Sequence, residues 1–146
     1  MSQERAMKAL PPDPAFESRV RASFARQEVM KSLGIEIARL GPGEIELTMP
    51  YARAYTQQHG FVHAGIIATA LDSACGYAAF SLMPVDAAVL TVEFKINLLA
   101  PARGERFSFR ARVVKAGRTI SVCEGRAVAT MTCTVMAVFD REDVRQ

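Results

Sequence analysis

The sequence predicts an α+β fold: one curved antiparallel sheet wrapped around a single long helix, with an amphipathic helix ahead of it. Three observations point there. Residues 63–81, HAGIIATALDSACGYAAFS, are small or apolar on nearly every side, the mark of a buried helix rather than a surface one. Six further segments alternate apolar and polar residues with the period of a strand. Four of them follow the long helix with no second helix between, an order that suits an antiparallel sheet with one covered face.

In chain order, residues 1–12 are polar and read as a tail ending in Pro11-Pro12. Asp13-Pro14 is a helix-opening pair, an N-cap followed by proline at the first helical position. Phe16, Val20 and Phe24 then form an apolar stripe that Met30 and Leu33 continue, so one amphipathic helix is expected over 14–33. Arg19, Arg21, Arg26 and Lys31 lie largely off that stripe, and Gly34 is a natural stop. Ile35–Leu40 and Glu44–Met49 alternate around Gly41-Pro42-Gly43, a hairpin. Residues 50–62, PYARAYTQQHGFV, are irregular and polar and run straight into the long helix. After a short turn at 83–86, Ala87–Leu99 is a long strand. Its alternation puts Leu90, Val92, Phe94, Ile96 and Leu98 on one face and Thr91, Glu93, Lys95 and Asn97 on the other. Phe107–Lys115, Thr119–Glu124 and Thr130–Phe139 supply the last strands. The predicted organisation is a tail and helix at 1–34, one domain at 35–140, and a solvated tail at 141–146.

Residues 119–139 carry no convincing turn except near Gly125. An unbroken strand of that length would span ~70 Å at about 3.3 Å per residue, too long for this domain. A bend is therefore expected at 125–130, either a tight reversal or a hairpin loop that this sequence lacks.

The totals exclude several classes. A chain of 146 residues, half hydrophobic and 23% charged, suits one globular domain. A net charge of +3 leans mildly toward anionic ligands such as phosphate-bearing cofactors and is far too small to argue for nucleic acid. Three cysteines without metal-ligand spacing read as reduced core residues, predicting a cytoplasmic protein without a metal site. The start, MSQERAMKALPPDP, has no apolar core, so no secretory signal is expected. Residues 63–81 lack basic flanks, and Asp72 would cost roughly 2.5–3.5 kcal/mol at a bilayer centre, so no membrane span is expected.

Asp72 is the residue that composition does not explain. A carboxylate in an apolar helix is paired locally, faces water, or does chemistry. The polar loop ahead of the helix adds a second candidate feature, because free N–H groups and the helix dipole favour negative charge there. His63 and Asp72 are nine residues apart, on opposite sides of the helix and ~13 Å apart along it. One subunit cannot close a site over both, so a composite site is expected, with the loop of one chain facing Asp72 of a second copy.

QQHGFVHAG, the helix with Asp72, GYAAFSLMP, TVEFKINLLAPARGERF and KAGRTISVCEG occur in an order that resembles the PaaI-type branch of hotdog-fold acyl-CoA thioesterases, over about 35–140. Within it the chain looks most like bacterial medium- and long-chain acyl-CoA thioesterases. The resemblance implies a hotdog dimer, often paired into a tetramer, that hydrolyses a fatty or aromatic acyl-CoA without a cofactor. It places the catalytic acid, base or nucleophile, on Asp72 and the loop amide on Gln57. It places the helix-start motif on His63-Ala64-Gly65, with the Ala64 N–H polarising the thioester carbonyl, and the water-holding hydroxyl on Thr91. Two positions depart from the pattern: Gln57 stands for an Asn and Ala64 for a Gly.

Plainer roles stand beside these. His63 can simply bond local backbone, His59 can be a loop hydrogen-bonder and Gln58 a solvated residue. Arg103 and Arg118 are candidates for CoA phosphates, as any surface arginine is. A nucleophilic Cys75 is disfavoured, because a nearby acid raises a thiol pKa. The competing functions are an acyl-thioester dehydratase or hydratase, which would pair His59 or His63 with Asp72, and a non-catalytic acyl-CoA binding module.

Overall fold

The computed structural model describes residues 10–144; the expected tail at 1–9 and the last two residues lie outside them. The described chain runs α1 (Phe16–Ala25), α2 (Glu28–Leu33), β1 (Glu36–Gly41), β2 (Glu44–Pro50), α3 (Ala64–Phe80), β3 (Ala88–Leu98), β4 (Arg106–Lys115), β5 (Ile120–Arg126) and β6 (Ala129–Val138). The strands form one sheet in the order β1-β2-β4-β5-β6-β3, each neighbouring pair antiparallel. Five of the six strands contact α3. This is the expected α+β hotdog arrangement.

Close approach holds helix and sheet together. Leu47, Phe109, Cys123, Met131, Cys133 and Val135 are buried on the sheet, and Ile67, Leu71, Ala74, Cys75 and Ala78 on the helix. The small residues of α3 let strands come near, and Gly125 answers them from β5. A Cβ at Gly125 would stand 3.1 Å from Leu71 Cδ2 and 3.2 Å from Cys75 Sγ. Gly125 is thus a contact inside a strand, not the turn its composition suggests. The turn is Ala127-Val128, a tight reversal in which the Ala127 N–H donates to the Ala129 carbonyl at 2.8 Å. Arg126 already pairs with Thr130, so no longer hairpin loop is needed.

The single helix expected over 14–33 is two helices. Gln27 leaves the helical region at φ −78°, ψ 100°. Its amide then reaches α3: Oε1 accepts from the Ser73 hydroxyl at 3.0 Å, and Nε2 donates to the Tyr77 hydroxyl at 3.4 Å. Docking of that side chain on α3 accompanies the break, and Gly34 ends α2 in the left-handed region at φ 64°. Arg19 also departs from expectation by turning inward. Its Nε pairs with Asp13 Oδ2 at 2.8 Å, and its Nη2 donates to the Phe80 and Met83 carbonyls at 3.3 and 2.9 Å. That guanidinium, 4.2 Å from the Phe80 ring centroid, pins α1 across the end of α3.

β3 corrects the predicted alternation. Its pairing with β6 slips between Thr91↔Val135 and Glu93↔Thr134, leaving Val92 as an extra residue. A bulge of one residue exchanges the two faces of a strand. Beyond it, Phe94, Ile96 and Leu98 lie opposite Cys133, Met131 and Ala129, on the helix side. Before it, the helix side is carried by Thr91 and Val89, not Leu90.

Gly125→Val should lower stability by about 1–3 kcal/mol through overpacking against Leu71 and Cys75. Chemical denaturation against the parent protein checks this; an unchanged midpoint would contradict the close-approach account.

Candidate active site

Asp72 sits in the middle of α3, half-buried, where the helix passes the β3 edge. Its Oδ1 accepts from the Thr91 hydroxyl at 2.8 Å and faces Cys133 Sγ at 3.8 Å. Oδ2 carries no hydrogen bond among the described residues. The bulge at Val92 makes this contact possible, because a regular strand would turn Thr91 to the opposite face. The carboxyl opens on a cleft of about 310 Å³ lined by Arg26, Gln27, Ser73, Tyr77 and Thr91. A hydroxyl fixing one carboxylate oxygen while the other faces a cleft is an arrangement suited to holding a water for attack.

The other candidates gather at the start of α3. His63 is the N-cap, its Nδ1 accepting from the Gly65 N–H at 2.8 Å. That bond occupies Gly65, so the donor left at the helix start is the Ala64 N–H, which has no acceptor among the described residues. The Gln57 side chain turns back on its loop, where Oε1 accepts from the His59 N–H, leaving its amide N–H₂ as a donor. Gln57, Phe61, Ala64, Ile67 and Leu98 line a second cleft of about 410 Å³, mostly apolar. The two clefts share no residue. Ala64 and Asp72 are ~12 Å apart along the helix. One chain therefore presents the acid and the helix-start donor in two separate clefts.

The two arginines also part company. Arg103 stacks over Phe61, 4.5 Å from the ring centroid, beside the second cleft. Arg118 lies in the exposed turn beyond the far end of β4, whose ten residues put it ~30 Å away. The pair cannot hold one phosphate group within a single chain. The thiols are unsuited to attack: the Cys75 thiol is pushed far up by its hydrogen bond with Cys133 and by burial, and burial raises Cys123 to about 12.

Residues 59–135 match the thioesterase superfamily. The chain belongs to that superfamily. The thioesterase is 61% identical to a thioesterase family protein of Silicibacter pomeroyi, with a TM-score of 0.84 over 86% of this chain and 99% of that one. It shares its fold with the Escherichia coli PaaI protein of the phenylacetic acid degradation operon, at 21% identity and a TM-score of 0.77 over 84% of this chain and 93% of that one. A Halobacterium salinarum protein provisionally named an esterase is 37% identical over 66% of each chain. The PaaI-type hotdog resemblance and the assignment as a thioester hydrolase stand on these matches. No helix among the described residues is long and apolar enough to cross a membrane.

Sequence reading of the thioesterase missed two neighbours of Asp72. Gln27 falls inside the single helix expected over 14–33, a pattern that carries no signal of its contacts with Ser73 and Tyr77. Cys133 had no signal beyond its inward register on β6, which only the pairing reveals.

Thr91→Val keeps shape but removes the hydroxyl that holds Asp72. Thioester hydrolysis should fall roughly ten- to a hundredfold, the worth of a hydrogen bond to a charged group, while Thr91→Ser stays near the parent rate. Initial rates of thiol release for the three proteins check this.

Proposed function

We propose that the protein hydrolyses a medium- or long-chain or aromatic acyl-CoA to the free acid and CoA, as a homodimer whose sites are shared between subunits. The observation that carries the reading is the division of α3: a hydroxyl-oriented carboxylate at mid-helix, a free N–H at its start, and about 12 Å between them. In this reading Asp72 takes a proton from a water that attacks the thioester carbonyl. The Ala64 N–H of the partner subunit stabilises the oxyanion, with the helix dipole behind it. The thiolate of CoA leaves and takes up a proton. Gln57 of the partner subunit aids by its amide N–H₂, and Arg103 is a contact for a CoA phosphate.

The β3 edge supports such a dimer. It is an eleven-residue edge strand with no neighbour on one side among the described residues. Val92 is 55% exposed, Leu98 46% and Phe94 45%. A long, apolar, unpaired edge is a liability unless another chain covers it. Thr91 and Leu98 are about 23 Å apart on this strand, one beside each half-site. Antiparallel pairing of two β3 strands about a twofold axis near Phe94 would set Thr91 of one chain near the Leu98 end of the other. That brings Asp72 toward the partner's helix start.

Asp72→Asn should lower thiol release from acyl-CoA by about 10²–10⁴. Ala64→Pro should lower it by about 10²–10³ by deleting one oxyanion donor; proline is tolerated at the first helical position, and His63 already has the extended backbone that precedes a proline. Co-refolded mixtures of the two inactive proteins should regain a substantial fraction of the parental rate, since each mixed dimer keeps one site with both groups intact. Failure of the mixture to recover would remove the shared site. Unchanged turnover of Asp72→Asn would remove Asp72 from the mechanism.

Phe94→Glu combined with Val92→Lys should convert the dimer to a monomer by light scattering and abolish hydrolysis with it. A double variant that remains dimeric would place the interface elsewhere.

A further inference from the structure

The outer face of the sheet carries a cluster of arginines of which the reaction above uses only Arg103. Arg106, Arg110 and Arg112 of β4 project from it at alternate positions. Arg39 of β1, Arg126 of β5 and Arg103 from the loop before β4 join them around a groove of about 580 Å³. Glu124 holds Arg112 at 2.9 Å, and Glu46, bonded also by Ser108, lies 3.5 Å from Arg110. Glu44 is the third carboxylate of the groove. Six arginines against these three neighbouring glutamates leave a local excess of three positive charges. Arg106 and Arg126 make no ion pair among the described residues, and both are exposed.

The groove adjoins the cleft at the start of α3 through two seams. Arg103 lines the groove while its guanidinium lies on Phe61, which lines the cleft. Val128 lines the groove while its carbonyl accepts from the N–H groups of Leu99 and Ala100 at 3.0 and 3.2 Å, and both of those residues line the cleft. A long ligand with its reactive carbonyl near Ala64 would reach the arginines by way of Phe61 and Arg103.

We infer that this arginine groove is the subsite for the phosphorylated nucleotide end of the acyl-CoA substrate, contributed by the same chain whose helix start receives the carbonyl. This rests on the acyl-CoA reading above. The occupant follows from charge and connection. A ligand with several phosphate charges matches an excess of three positive charges, and guanidinium groups hold phosphate oxygens in bidentate pairs. A second copy of the same face would bring like charge against like charge.

The test compares an acyl-CoA with the matching acyl-pantetheine, which has the thioester but no phosphate, on the intact protein and on Arg106→Ala/Arg126→Ala. Adenosine 3′,5′-bisphosphate binding is measured by calorimetry on both proteins. In the double variant, KM for acyl-CoA should rise about tenfold or more with kcat retained. Acyl-pantetheine kinetics should not change, and affinity for the bisphosphate should fall by a similar factor. An unchanged KM for acyl-CoA, or an equal loss on both thioesters, would overturn the subsite. So would a double variant that changes oligomeric state in light scattering while binding the bisphosphate as before, which would make the face a contact between copies. If the parent protein cleaves neither thioester, the acyl-CoA reading fails separately. Bisphosphate binding that depends on the two arginines would then still support the anion groove, and its absence would remove it.

Discussion

The close packing of α3 against the sheet is the constraint on which the rest depends. A helix of small residues can sink onto a sheet until glycine is needed on the other side, as at Gly125 beneath Leu71 and Cys75. Such depth buries the middle of the helix on its sheet side and leaves chemistry only where the cover runs out. It runs out at two places: the helix start, and the flank of α3 that faces the β3 edge. Ala64 stands at the first and Asp72 at the second. The separation of the acid from the helix-start donor is therefore a consequence of packing, and the proposed dimer is what would rejoin them.

The polar groups near Asp72 answer to the same geometry. Gln27, Ser73 and Tyr77 form a hydrogen-bonded cluster where α1 and α2 cross α3, and Ser23 joins it through the Tyr77 hydroxyl at 3.2 Å. Burial pushes the Tyr77 phenol upward, so this hydroxyl stays neutral. Thr91 and Cys133 approach only one oxygen of Asp72, and the cleft takes the other. The acid is held on one side and open to the cleft on the other, the orientation that the proposed role as a base requires. The break between α1 and α2 thus belongs to the site as much as to the fold.

The two faces of the sheet divide the labour. The inner face is filled with side chains packed on α3, and the outer face is charged, with the arginines of β4 on the opposite side of the strand from Phe107 and Phe109. Period-two alternation in one strand serves packing on one side and electrostatics on the other. The loop at 99–103 joins them, since it lines the cleft through Leu99 and Ala102 and the groove through Arg103.

Local pattern by itself determined the long buried helix, the Gly41-Pro42-Gly43 hairpin, the strands and the placing of one acid among apolar residues, because each rests on periodicity or turn chemistry carried by neighbours in the chain. The nine-residue spacing of His63 and Asp72 was enough to set the helix start and the acid apart, since helix geometry is fixed. Tertiary structure alone decided which way Thr91 faces: the extra residue at Val92 is defined by how β3 pairs with β6, and alternation along one strand carries no record of its partner's register. It alone decided that Gln27 leaves the helix for α3, and that Gly125 is a contact and Ala127-Val128 the turn. Each of those depends on a group distant in sequence, and only the folded chain brings that group into reach.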